Sequence, residues 1–157
     1  MRKNLIDAPV QNDVLVNQQW LDLESLAQVE FSSEHAANPI ENIFTPDTDS
    51  IWRASHPGKQ ILRLLFDKPQ NIKCIRLLFR EEEQARTQEF LLSHSVDGGI
   101  SYQEILRQQY NFSSPDTCLQ AEEYYVQLEG VTTLELTIIP DISGGNAHAS
   151  LVQWQIA

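Results

Sequence analysis

Residues 90–99 read Phe90-Leu91-Leu92-Ser93-His94-Ser95-Val96-Asp97-Gly98-Gly99, with Tyr102 close behind. Phe90, Leu92, His94 and Val96 alternate with Leu91, Ser93 and Ser95, the period of two expected of a strand with one buried face. The run ends in Asp-Gly, a turn dipeptide that suits the right-handed twist of paired strands because glycine reaches positive φ at little steric cost. A strand turning into another strand is the natural reading, and antiparallel β structure is the expectation around it.

Outward from this hairpin the pattern repeats. Tyr124, Val126 and Leu128 alternate, as do Leu134, Leu136 and Ile138 beyond Gly130, and Val152, Trp154 and Ile156 beyond the 141–146 loop. Toward the N-terminus, short strands are expected at Val29–Phe31, Ile51–Arg53, Gln60–Phe66 and Ile72–Phe79, separated by turn signals. The one expected helix is short: Asn38 as its cap, Pro39 at the first helical position, Glu41 completing an Asn-x-x-Glu capping box, and an end near Phe44 before Pro46. The fold class is therefore all-β, an antiparallel β-sandwich jelly roll of about eight strands with one short helix near its N-terminal side.

A chain of 157 residues with 41% hydrophobic side chains can bury one ordinary core. We divide it into a polar N-terminal arm, 1–17, and one domain, 18–157. Its 22 acidic against 11 basic residues give a net charge of -11, which repels phosphate backbones and argues against nucleic acid as a partner. No apolar window is long enough for a membrane span and no apolar run follows Arg2 and Lys3, so the expectation is a cytoplasmic chain with no membrane partner. Cys74 and Cys118 form neither a disulfide framework nor a metal-ligand spacing and read as reduced thiols.

Several stretches together resemble the galactose-binding-like domains, the discoidin or coagulation factor 5/8 type C family. Ala37 to Phe44 followed by Asp47 to Ser55 is similar to that family's opening helix, acidic loop and tryptophan strand. Ile61 to Ile72 resembles its next strand pair, Phe90 to Gly99 with Tyr102 its hairpin, and Ser150 to Ile156 its last strand. The likeness runs in order through residues 20–157. Ser32 to Asn42 with Trp52 to Ala54 also resembles the N-terminal domain of the eukaryotic single-strand-break repair scaffold, which serves protein contacts and nicked DNA.

The resemblance implies a non-catalytic binding module whose ligand, a carbohydrate in many relatives, sits on loops at one end of the sandwich. Phe79-Arg80 matches the family's arginine position, and a guanidinium fork suits the adjacent hydroxyls of a sugar. Arg86 lies before the hairpin, His56 follows the tryptophan strand, and Tyr110 and Phe112 are aromatic candidates for a sugar face. The alternative is that Arg80 and Arg86 simply pair with Glu81, Glu82 and Glu83 on a solvated loop. The resemblance also implies a structural calcium held by carbonyls and by Asp47 and Asp49, hard oxygen ligands of the kind calcium takes. Relatives complete that site with a last-strand glutamate, where the matching residue here is Gln155. An Asx-rich loop that bonds its own backbone needs no metal, so calcium remains one of two readings.

There is no Gly-x-Ser-x-Gly elbow, no His-Glu-x-x-His and no phosphate-cradling glycine loop, so the chain reads as a non-enzyme. Two function classes remain: a module binding carbohydrate or another polar ligand, and a protein-interaction or assembly module whose partner is a protein.

Overall fold

A computed structural model describes residues 19–113 and 116–157; the expected arm at 1–17 lies outside them. A helical turn α1 (Leu23–Leu26) leads into β1 (Ala27–Phe31), a 3-10 turn (Ile40–Phe44) and β2 (Trp52–Arg53). Then come β3 (Gln60–Arg80), β4 (Arg86–Ser95), β5 (Gln103–Phe112), β6 (Leu119–Ile139), β7 (Ser150–Leu151) and β8 (Gln153–Ile156). Every pairing among these strands is antiparallel. The expected β-sandwich is what forms.

Two long strands build both layers. β3 and β6 pair along their whole length, and register shifts between Leu65 and Cys74 bend the pair. One layer is β1, the first half of β3, the second half of β6, β4 and β5. The other is β8, the second half of β3 and the first half of β6. Asp67-Lys68-Pro69-Gln70 and Gly130 were expected to separate strands, yet the chain bends through them. Pro69 lacks a backbone donor and Gly130 takes φ +64°, so both mark the place where the ladder slips without breaking the strand.

Between the layers lie Trp52, Trp154, Phe79, Phe90, Phe112, Leu62, Leu64, Leu134 and Leu136, all essentially without solvent exposure. In the decisive hairpin the register shift opposite Leu92 and Ser93 is a bulge on β5, where Ile105 has no opposite residue. β4 stays in step with β6, so His94, opposite Leu134, keeps the face of Phe90 and Leu92 and is half-buried, while Ser93 and Ser95 on the other face are covered too and Val96, beyond the strand, is exposed. Asp97 then holds the turn, its carboxylate accepting from the Ser101 hydroxyl and backbone N–H and from the Ser95 hydroxyl. Gly98 and Gly99 occupy φ +73° and +88°.

The expected helix is corrected in its details. It is a 3-10 turn beginning at Ile40, and Pro39 rather than Asn38 stands at its N-cap. No side chain caps from that position; the Glu34 carboxylate accepts the Ile40 N–H at 3.1 Å instead. Asn38 serves β2, whose Arg53 N–H donates to the Asn38 carbonyl at 3.2 Å. No helix among the described residues is long and apolar enough to cross a membrane.

Candidate functional site

β2 alternates in the simplest way: Trp52 turns into the core, so Arg53 turns out. Trp52 is fixed there by donating its indole N–H to the Ser33 carbonyl at 2.9 Å. Arg53 stands opposite Ser150 of β7, and the buried Ser150 hydroxyl donates to the carbonyl of Arg80, the last residue of β3. This brings two arginines distant in sequence to one end of the sandwich. Between them opens a cleft of about 250 Å³ lined by Asn38, Asp49, Ile51, Arg53, Arg80, Glu82 and Glu83.

The lining is polar and incompletely paired. Arg80 Nη2 donates to the Thr48 carbonyl at 2.8 Å, while its Nε is 3.8 Å from the exposed Glu82 carboxylate. That pair is the solvated contact expected of a surface arginine, with little net worth. Among the described residues the Arg53 guanidinium, the Asn38 amide and the Asp49 carboxylate have no hydrogen-bonded side-chain partner. Donors, acceptors and one apolar side chain, Ile51, thus converge on a concavity that supplies the convergent polar groups a ligand site requires.

The other sequence candidates lie elsewhere. Arg86 is not in a solvated loop: it is the first residue of β4 and its side chain has no exposure. Its Nε donates to Glu81 Oε1 at 2.6 Å, its Nη1 to Gln88 Oε1 and the Pro140 carbonyl, and its guanidinium lies 4.8 Å over the Phe112 ring. Burial alone would raise the Glu81 carboxyl, but the Arg86 N–H and the backbone N–H of Glu83 hold it below the ordinary glutamate value. Tyr110 and Phe112 belong to β5 rather than a loop. Phe112 is fully buried, and Tyr110 packs edge-on against it while donating its hydroxyl to the Leu119 carbonyl. Neither presents an open plate. His56 is exposed in the loop after β2, its Nδ1 2.7 Å from the Ser55 hydroxyl, and is not among the cleft residues.

Asp47 and Asp49 separate. Asp47 accepts the Asp49 backbone N–H at 2.8 Å and the Ser50 hydroxyl at 3.0 Å, an Asx-type turn, whereas Asp49 lines the cleft. The last-strand amide that reaches this loop is Gln153, not Gln155, which stands opposite Arg76 of β3. Among the described residues no group of three or more His, Cys, Asp and Glu side chains is placed to hold a metal ion. Both cysteines are free, Cys74 buried and Cys118 half-buried.

The fold is an antiparallel β-sandwich, and solved structures supply the comparison. No family model and no curated protein matches the sequence. The chain is similar to a family 32 carbohydrate-binding module of AlyQ solved with 4,5-unsaturated mannuronic acid (TM-score 0.65, 18% identity, covering 89% of this chain and 98% of that one). It is also similar to the family 32 module of C. perfringens NanJ solved with galactose (TM-score 0.65, 11% identity, 87% and 96%). A pectin-binding carbohydrate-binding module gives TM-score 0.62 at 21% identity over 83% and 89%. At such identities the likeness is one of fold.

Proposed function

We propose that this chain is a non-catalytic module that binds carbohydrate in the cleft between Arg53 and Arg80. The observation that carries the proposal is the convergence there of an unpaired guanidinium, an unpaired carboxylate and an amide at one end of the sandwich. Hydroxyl pairs on a sugar ring need donors and acceptors side by side, and a guanidinium fork gives two parallel donors. The three structural neighbours are each named as carbohydrate-binding modules, which supports the same reading. The exposed large apolar side chains are spread over β1 (Phe31), the β4–β5 turn (Val96, Ile100, Tyr102), β6 (Leu119, Tyr125) and the following loop (Ile142), and Leu119 stands opposite Arg80.

A glycan array probed with the purified protein and with Arg80→Ala tests the proposal. Binding by the wild type that the variant loses supports it; silence of the folded wild type toward every sugar removes it. Recovery of a protein partner in place of any glycan would move the chain to the assembly class.

A further inference from the structure

Calcium is held by six to eight oxygens about 2.3–2.6 Å away, each turning a lone pair to the ion. In the stretch from Asn42 to Ile51 several oxygens already face hydrogens, the Asp49 carboxylate excepted. The Thr45 hydroxyl donates to the Asn42 carbonyl, the Asn42 amide to the Ile51 carbonyl and Arg80 to the Thr48 carbonyl. The Asp47 carboxylate accepts the Asp49 N–H on one oxygen and the Ser50 hydroxyl on the other. The closing contact comes from the last strand: Gln153 Nε2 donates to the Thr45 carbonyl at 3.2 Å, across 108 residues of sequence. Gln153 is 5% exposed and Thr45 half-buried, so this bond is partly shielded from water.

We infer that hydrogen-bond donors close this loop in place of a metal, with Gln153 as the latch, and that the chain folds and holds its cleft without calcium. The amide hydrogen brings partial positive charge to a carbonyl that a cation would otherwise neutralise, and it does so without needing a full coordination shell. The same loop carries the Thr48 carbonyl that holds Arg80 and the Asp49 that lines the cleft, so the latch also fixes one wall of that site. The inference does not depend on what the cleft binds.

The orientation of one amide decides between the two states. Turned over, Gln153 Oε1 would oppose the Thr45 carbonyl oxygen, acceptor against acceptor, and a cation would be needed to reconcile them. A glutamate at this position has no donor at neutral pH and enforces that opposition.

Thermal unfolding of the whole chain is the test, first after EDTA treatment and then with calcium at roughly ten times the ~1 mM dissociation constant of weak protein sites. The wild-type midpoint is expected to move by less than ~1 °C, whereas Gln153→Glu should fall in EDTA and recover several degrees with calcium. Gln153→Met, which removes the donor at similar length, should lose ~2–4 °C with or without calcium. A saturable calcium-dependent rise in the wild-type midpoint, with matching heat in calorimetric titration, overturns the inference. So does a folded Gln153→Glu that ignores calcium, or a Gln153→Met loss that calcium repairs. If Gln153→Glu does not fold, the wild-type titration still decides.

Discussion

Replacing Arg86 by methionine keeps most of the side chain's length but removes its charge and its fork of donors. What remains is Glu81, 5% exposed, facing a thioether, together with a Gln88 carbonyl oxygen and a Pro140 carbonyl that have lost their donor. Breaking a buried pair by deleting one partner costs about 3–5 kcal/mol, because an uncompensated charge stays behind. For a domain of this size that corresponds to a fall of roughly 6–20 °C in midpoint, readable by circular dichroism or differential scanning fluorimetry. Removing both partners in Arg86→Met with Glu81→Gln should recover more than half of the loss, since no charge is then stranded. The pH dependence gives an independent sign. With its folded value below the unfolded ~4.3, Glu81 contributes stability that is fully present above that pH and is lost as pH falls through the lower folded value. In Arg86→Met the desolvation that raises the carboxyl loses its strongest opponent and is countered only by backbone N–H groups such as that of Glu83, so the carboxyl rises and acidification relieves part of the variant's penalty. The gap between wild type and variant should therefore narrow between about pH 7 and pH 3. A single variant costing less than ~1 kcal/mol, or a gap independent of pH, would refute the description of Glu81–Arg86 as a buried, charge-compensated pair.

Further outcomes follow from the same structure. Arg80→Ala should weaken sugar binding at least ~10-fold by isothermal titration while shifting the midpoint only slightly, because its contacts to Thr48 and Glu82 lie at the surface; unchanged affinity would detach this residue from the site. Phe90→Ala removes a ring packed 5.2 Å from Phe79 in the core and should cost about 3–5 kcal/mol in urea unfolding, a loss under ~1 kcal/mol contradicting its placement. The hydroxyls of Ser101 and Ser95 hold the Asp97 carboxyl down to about 2. A carbon-detected pH titration should find it still ionised where other aspartates protonate, and a midpoint near the ordinary ~3.9 would mean the turn is open.

The hairpin shows both how far the sequence carries and where it stops. Phe90 and Leu92 could be placed by period and Asp97-Gly98 by turn chemistry, and both places hold. The bulge on β5 could not, since nothing in Ile105-Leu106 signals an extra residue, and nothing in Ser93 and Ser95 signals that the second face of β4 is covered as well. β5 was expected as the strand into which the hairpin turns, but its bounds could not be set, for a related reason. It is an edge strand pairing only with β4, most of its residues are exposed or half-buried on both faces, and Ile105-Leu106 breaks any period of two. Arg86 misled because a charged residue beside three glutamates reads as surface, whereas its burial depends on Gln88, Pro140 and Phe112, which only tertiary structure assembles. Arg80 was visible through resemblance. Arg53 was visible in principle, because Trp52 inward forces its neighbour outward, but its meeting with Arg80 is made by Ser150, nearly a hundred positions along the chain.

The two continuous strands have a consequence for how this domain comes apart. Because β3 and β6 supply the central strands of both layers, loss of either layer takes with it strands on which the other is built. Local opening is confined to the strands attached at the margins, β1, β5, β8 and the short β2–β7 pair. Everything else should melt in one cooperative step. Assembly carries the matching burden: the β3–β6 ladder starts at its nearer end with Arg80 opposite Leu119 and extends to the Arg63–Glu135 ion pair, 72 residues apart, so its contacts are non-local throughout and folding is expected on the slow, millisecond-to-second side.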